Sequence, residues 1–72
     1  MIGSTGPYLQ GVVRHFDPLR RFGKIQADRV EYFVHASDLV DVAALRPGQQ
    51  VLFQPVDAAR GPRAVAVTLV DA

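Results

Sequence analysis

The sequence predicts one small all-β domain built from five short antiparallel strands. Eleven of its 72 residues are valine, and β-branched side chains fit a pleated surface while losing rotamer freedom in a helix. Glycine and proline interrupt the chain at intervals too short for helices of ordinary length. A chain of this size has room for one modest core, because it buries only roughly 60% of the surface that its unfolded form exposes.

The first strand is read from Leu9 to Phe16 and stops at Asp17-Pro18. Proline donates no ladder hydrogen bond and biases the residue before it to extended geometry. A second strand runs from Phe22 to Ala27, a tight connection at Ala27-Asp28-Arg29 follows, and a third strand runs from Glu31 to His35. The long connection from Ala36 to Gly48 holds the one helical candidate, Ser37 to Leu45, with Ser37 as its cap and Leu39, Val40, Ala43 and Ala44 apolar. It is short: a single turn of 3₁₀ or α-helix after His35 is expected there, and no helix long enough to dominate the fold. Pro47-Gly48 is a turn signal that leads to a fourth strand, Gln49 to Val56, and beyond the loop Asp57 to Pro62 a fifth runs from Ala64 to Val70. Residues 1–8 read as a flexible lead-in to a domain over 9–72.

Alternation assigns the faces, since successive side chains of a strand point to opposite sides of the sheet. Phe22 and Lys24 share one face of the second strand, and Gly23 and Ile25 the other; Phe33 and His35 share one face of the third, and Tyr32 and Val34 the other. Turning Lys24 and His35 inward would be costly. The core therefore takes Ile25 and Val34, and the outward face takes Phe22, Lys24, Phe33 and His35.

Composition narrows the function. The absence of cysteine removes disulfides and thiolate metal sites and fits a reducing, cytoplasmic setting. The first residues lack the basic and apolar segments of a secretory signal, and no run approaches the roughly 18 apolar residues of a membrane span. A cytoplasmic chain with no membrane role is expected. Net charge is only +1, which excludes the strong overall pull on phosphates of an Arg-rich binder. The charges are unevenly placed, however: Arg14, Arg20, Arg21 and Lys24 cluster with Asp17 as the one nearby acid. The pair Arg20 and Arg21 reads equally as part of a basic face or as a solvated turn.

Outward aromatic rings beside cationic side chains suit a single-stranded nucleic acid, whose bases stack on rings while basic groups follow the phosphates. Phe16, Phe22, Phe33 and the imidazoles of His15 and His35 are the candidates for stacking; Arg14, Arg20, Lys24 and Arg60 are the candidates for charge. A lone Phe in a small domain is by default a core residue, and Phe53 is assigned so. Phe16, at a strand end, is left between the two assignments. Two histidines without cysteine or a matched carboxylate set make a poor zinc site, and no metal or cofactor is expected. Ser37 lies close to His35, but no third group nominates a triad, so an enzyme is not expected.

These residues resemble the bacterial cold-shock domain. Gly11-Val12-Val13-Arg14-His15-Phe16-Asp17-Pro18-Leu19-Arg20-Arg21-Phe22-Gly23-Lys24-Ile25 is similar to that family's first strand and first RNA-binding motif, usually Lys-Gly-Phe-Gly-Phe-Ile; Tyr32-Phe33-Val34-His35 is similar to the second, usually Val-Phe-Val-His. Leu45 with Pro47-Gly48-Gln49-Gln50-Val51, and Arg60-Gly61-Pro62-Arg63-Ala64 with Val67-Thr68, match the approach to strand four and the last turn and closing strand. The resemblance implies an oligonucleotide-binding (OB) fold, a five-stranded antiparallel barrel. It also implies binding of single-stranded RNA or DNA, with a pyrimidine preference and RNA-chaperone or antitermination roles. The implied contacts are Arg14, His15, Phe16, Arg20, Phe22, Lys24, Phe33, His35 and Arg60.

The departures are specific. His15 stands where the family usually has Trp, Lys24 where it has Phe, Ala36 where it has Phe, and Arg21 where the first motif has Gly. Three stacking rings are lost or reduced, a deficit of roughly 3 to 6 kcal/mol before any offset from added charge. The rival reading is a protein-interaction module on the same fold, meeting a protein of the transcription or translation machinery. A barrel acting on the ribosome in the manner of an initiation factor is a third reading, opposed by the Phe-Val-His and Arg-Gly-Pro matches. A monomer is expected.

Overall fold

A computed structural model describes residues 8–70. The strands are β1 (Leu9–Asp17), β2 (Phe22–Ala27), β3 (Val30–His35), β4 (Gln50–Ala58) and β5 (Gly61–Leu69), with a single 3₁₀ turn at Ala36–Asp38 between β3 and β4. They close into a barrel in the order β1-β2-β3-β5-β4. The lead-in expected over residues 1–8 lies, apart from Tyr8, outside the described residues. The barrel is mixed rather than purely antiparallel: β3 meets β5 in parallel at Phe33 and Arg63, and Leu39 bridges Val67 in parallel. The long connection after β3 carries the chain back across the barrel before β4 begins, which is what a parallel neighbour requires.

The core holds Val13, Phe16, Ile25, Ala27, Val34, Leu45, Val51, Phe53, Ala64 and Val67. Phe53 is fully buried, with the ring of Tyr32 4.9 Å away. Ile25 and Val34 point inward as alternation requires. Two glycines permit close strand approach. A Cβ on Gly23 would sit 2.2 Å from the His15 carbonyl oxygen and 2.7 Å from Phe16 Cα, and one on Gly11 would sit 2.8 Å from the Gln26 carbonyl oxygen.

Strict alternation fails at one informative place. Val13 pairs with Ile25 and His15 with Lys24, so Arg14 is an extra residue in β1. With Val13 inside, unbroken alternation would turn His15 inward and Phe16 outward. The bulge reverses the phase: Arg14 and His15 are both exposed, and Phe16 is buried at 9% exposure. A second bulge sets Ala66 and Val67 of β5 opposite Phe53, between the pairs Leu52–Thr68 and Gln54–Val65, with Ala66 at a φ of 53°.

Other boundaries differ from the sequence reading. The loop expected over Asp57 to Pro62 shrinks to Ala59-Arg60, because β4 extends to Ala58 and β5 begins at Gly61. Pro62 is tolerated at the second position of its strand, where a missing donor does least harm. The helical candidate reduces to the 3₁₀ turn, and its N-cap is His35 rather than Ser37. Among the described residues no helix is long and apolar enough to cross a membrane.

Candidate nucleic-acid interface

The outward face of β2 and β3 carries Phe22, Lys24 and Gln26 beside Glu31, Phe33 and His35. Antiparallel register sets Lys24 opposite Phe33 and Phe22 opposite His35. The rows continue sideways, since His15 of β1 stands opposite Lys24 and Arg63 of β5 beside Phe33. One row across four strands thus reads His15, Lys24, Phe33, Arg63; a second reads Asp17, Phe22, His35.

The rings of Phe22 and Phe33 form a pair, with centroids 5.7 Å apart and planes inclined at 32°. This is the spacing at which aromatic rings attract. Phe33 is 36% exposed and Phe22 half-buried, so the pair is seated on the barrel yet offers apolar area to a ligand. His35 borders it and is held in place: its Nδ1 accepts the Ser37 N–H at 3.1 Å and lies 3.0 Å from the Ser37 hydroxyl. In the neutral ring that contact puts the proton on Nε2, leaving an N–H donor beside the rings.

The expected site residues do not all assemble. Phe16 is corrected: the bulge at Arg14 carries its ring into the core, where it packs behind the face instead of presenting a stacking surface. Arg14 and His15 are exposed on the bulge. Arg20 lies in the β1–β2 loop, organised by Asp17, whose carboxylate accepts the N–H groups of Leu19 at 2.9 Å and Arg20 at 3.2 Å. Its guanidinium is 3.9 Å from the same carboxylate. Arg21 has a φ of 66°, which accounts for a glycine preference at this position of the motif. The β4–β5 hairpin brings Arg60 across to Phe33, and with Lys24, Glu31, Pro62 and Arg63 they line a groove of about 450 Å³.

Two charged members of this groove were not singled out from the sequence. In the sequence Arg63 falls in the stretch that resembles the last turn and closing strand, although its alternation with buried Ala64 marks it as an outward strand residue. It donates from Nε and Nη2 to one oxygen of Asp38, at 3.1 and 2.8 Å, which ties β5 to the 3₁₀ turn. Glu31 shares its face with Phe33 by simple alternation, and its carboxylate lies 3.9 Å from the Lys24 ammonium. Among the described residues no group of three or more His, Asp or Glu side chains is placed to hold a metal ion.

A closed five-stranded barrel with a ring pair and cations on one face is the form of a nucleic-acid-binding cold-shock protein. The chain matches the model of the "Cold-shock" DNA-binding domain over residues 9–70, and it belongs to that family. It is 42% identical over 62 residues to the Cold shock-like protein CspC of Bacillus cereus, an alignment covering 82% of this chain and 95% of the relative. The protein of the same name from Bacillus cereus strain ATCC 14579 matches to the same extent.

Proposed function

We propose that this chain binds single-stranded RNA or DNA on the outward face of β2 and β3, in the cytoplasm, as a monomer and without a catalytic step. The observation that carries the reading is the Phe22–Phe33 ring pair set in register with Lys24 and His35. A base stacked on such a ring contributes roughly 1 to 3 kcal/mol whatever its identity, and Arg14, Arg20, Arg21, Lys24 and Arg60 supply cations around it for the phosphates. A protein that binds the open strand and not the duplex shifts a pairing equilibrium by its differential affinity. That is the physical content of an RNA-chaperone or antitermination role. Barrel closure supports the monomer, since every strand lies between two others.

Fluorescence anisotropy with labelled pyrimidine-rich RNA and DNA strands, and a duplex control, tests the proposal. Saturable binding that prefers single strands, and is largely lost in the double variant Phe22→Ala/Phe33→Ala, is the expected result. Absence of binding at low salt would instead favour the protein-partner reading. Its specific support is Leu19, 91% exposed in the β1–β2 loop between Pro18 and Arg20, and a pull-down would then be the next experiment.

A further inference from the structure

Arg63 stands beside Phe33 in the parallel pairing of β3 and β5 and lines the groove under the β4–β5 hairpin. Its Nε and Nη2 donate to the same Asp38 oxygen, at 3.1 and 2.8 Å. Asp38 is seated in the 3₁₀ turn with its side chain only 14% exposed, whereas that of Arg63 is 39% exposed. The N–H groups of a guanidinium lie in the plane of the group. A carboxylate that takes two of them along one edge therefore fixes that plane and leaves the π-faces uncommitted. The same carboxylate offsets the charge, so a phosphate brought to Arg63 would meet Asp38 at close range. A flat, neutral base meets no such repulsion.

We propose that the Arg63 guanidinium, locked by Asp38, is a base-stacking platform that carries the binding surface from Phe33 onto β5. Guanidinium planes stack on nucleic-acid bases as aromatic rings do. An unanchored arginine gives up rotamer freedom to stack; here the ion pair fixes the side chain before the strand arrives, so less is lost on binding. Ala36 opens the turn that carries Asp38 and supplies no ring. The anchored guanidinium gives this end of the face the planar surface that its own turn lacks. The inference rests on the single-strand reading above and adds one stacked base to it.

The test is an abasic scan. A labelled oligouridylate just long enough for full affinity, with the base removed from one nucleotide at a time, is titrated against the full chain. Arg63→Lys keeps the charge and a donor for Asp38 but has no planar face. It is expected to weaken binding of the intact strand about fivefold without changing the salt slope. It should also erase the penalty of an abasic nucleotide at the one position that faces Arg63 in the parent. Asp38→Asn adds a unit of positive charge but loosens the platform, and it is expected to bind more weakly, against the direction of the added charge. Circular dichroism shows whether each variant is folded, and Asp38→Asn carries the test if Arg63→Lys is not. An abasic profile in Arg63→Lys that matches the parent's would make the ion pair a matter of the fold alone. Tighter binding by Asp38→Asn would make Arg63 a phosphate contact released from its anchor. Either result would overturn the platform while leaving single-strand binding intact, and no binding of any strand would overturn both.

Discussion

Phe16 and Phe33 are chemically identical and on opposite sides of the barrel wall, so truncating each separates folding from binding. Phe16→Ala removes a ring buried in the core and is expected to destabilise by about 3 to 5 kcal/mol, a large part of the stability available to a domain of this size. Thermal unfolding followed by circular dichroism would show it. Phe33→Ala is expected to change stability by only about 1 kcal/mol, mainly through loss of its pairing with Phe22. It should weaken single-strand binding by about 1 to 3 kcal/mol, that is, roughly five- to 150-fold. The reverse pattern would place the binding face elsewhere.

Besides Asp41 in the long connection after β3, two turns and a bulge hold non-glycine residues at positive φ among the described residues, and these divide by whether the strain lies on the proposed binding side. Asp28 and Arg29, with φ of 54° and 72°, make the two-residue β2–β3 hairpin, a geometry in which Asn-Gly is the favoured pair. Ala66 holds the bulge opposite Phe53 at 53°. A left-handed conformation costs an L-residue about 1 to 2 kcal/mol, partly offset by the extra entropy that glycine loses on folding. Arg29→Gly and Ala66→Gly are each expected to raise the melting temperature by a few degrees, given about 4 to 8 °C per kcal/mol for a domain of this size. Neither should alter affinity by more than about twofold. Arg21→Gly relieves the same kind of strain, at a φ of 66°, but removes a cation from the binding side. It should be more stable than the parent and bind single strands more weakly, a trade of stability for function.

At the level of the whole molecule, the lost rings and the added charges change how binding responds to salt. Net charge is only +1, and Arg63 is anchored on Asp38, so on the proposed face the phosphate contacts are expected from Arg14, Arg20, Arg21, Lys24 and Arg60. Each such contact on a single strand contributes a slope of about −0.7 in log K against log[salt]. The slope measured by anisotropy across a salt series is therefore expected between about −2 and −3.5. Lys24→Phe exchanges a cation for a ring and should make the slope shallower by about 0.7 while raising affinity at moderate salt, through one more stacking face. A slope unchanged by that substitution would show that Lys24 does not contact phosphate.

Much of this was legible in the residues, because strand alternation is a local property. The inward Ile25 and Val34 and the outward Phe22, Lys24, Phe33 and His35 follow from a period of two, and the five strands follow from where valines cluster and where Pro and Gly interrupt them. Phe16 was not legible: its orientation depends on whether Arg14 is an extra residue in the pairing with β2, and a bulge is a relation between two strands that neither reveals alone. The parallel meeting of β3 and β5 belongs to the same class, as does the delivery of Arg60 and Arg63 to Phe33, since barrel closure brings together residues far apart in the chain. The sequence by itself thus determined which side chains of β2 and β3 face outward, which carry charge and which strands hold them. Only the tertiary structure decided that Phe16 supports the face from behind, and that Lys24 and Glu31 meet beside one ring, because register and closure are set by the packing of the whole barrel.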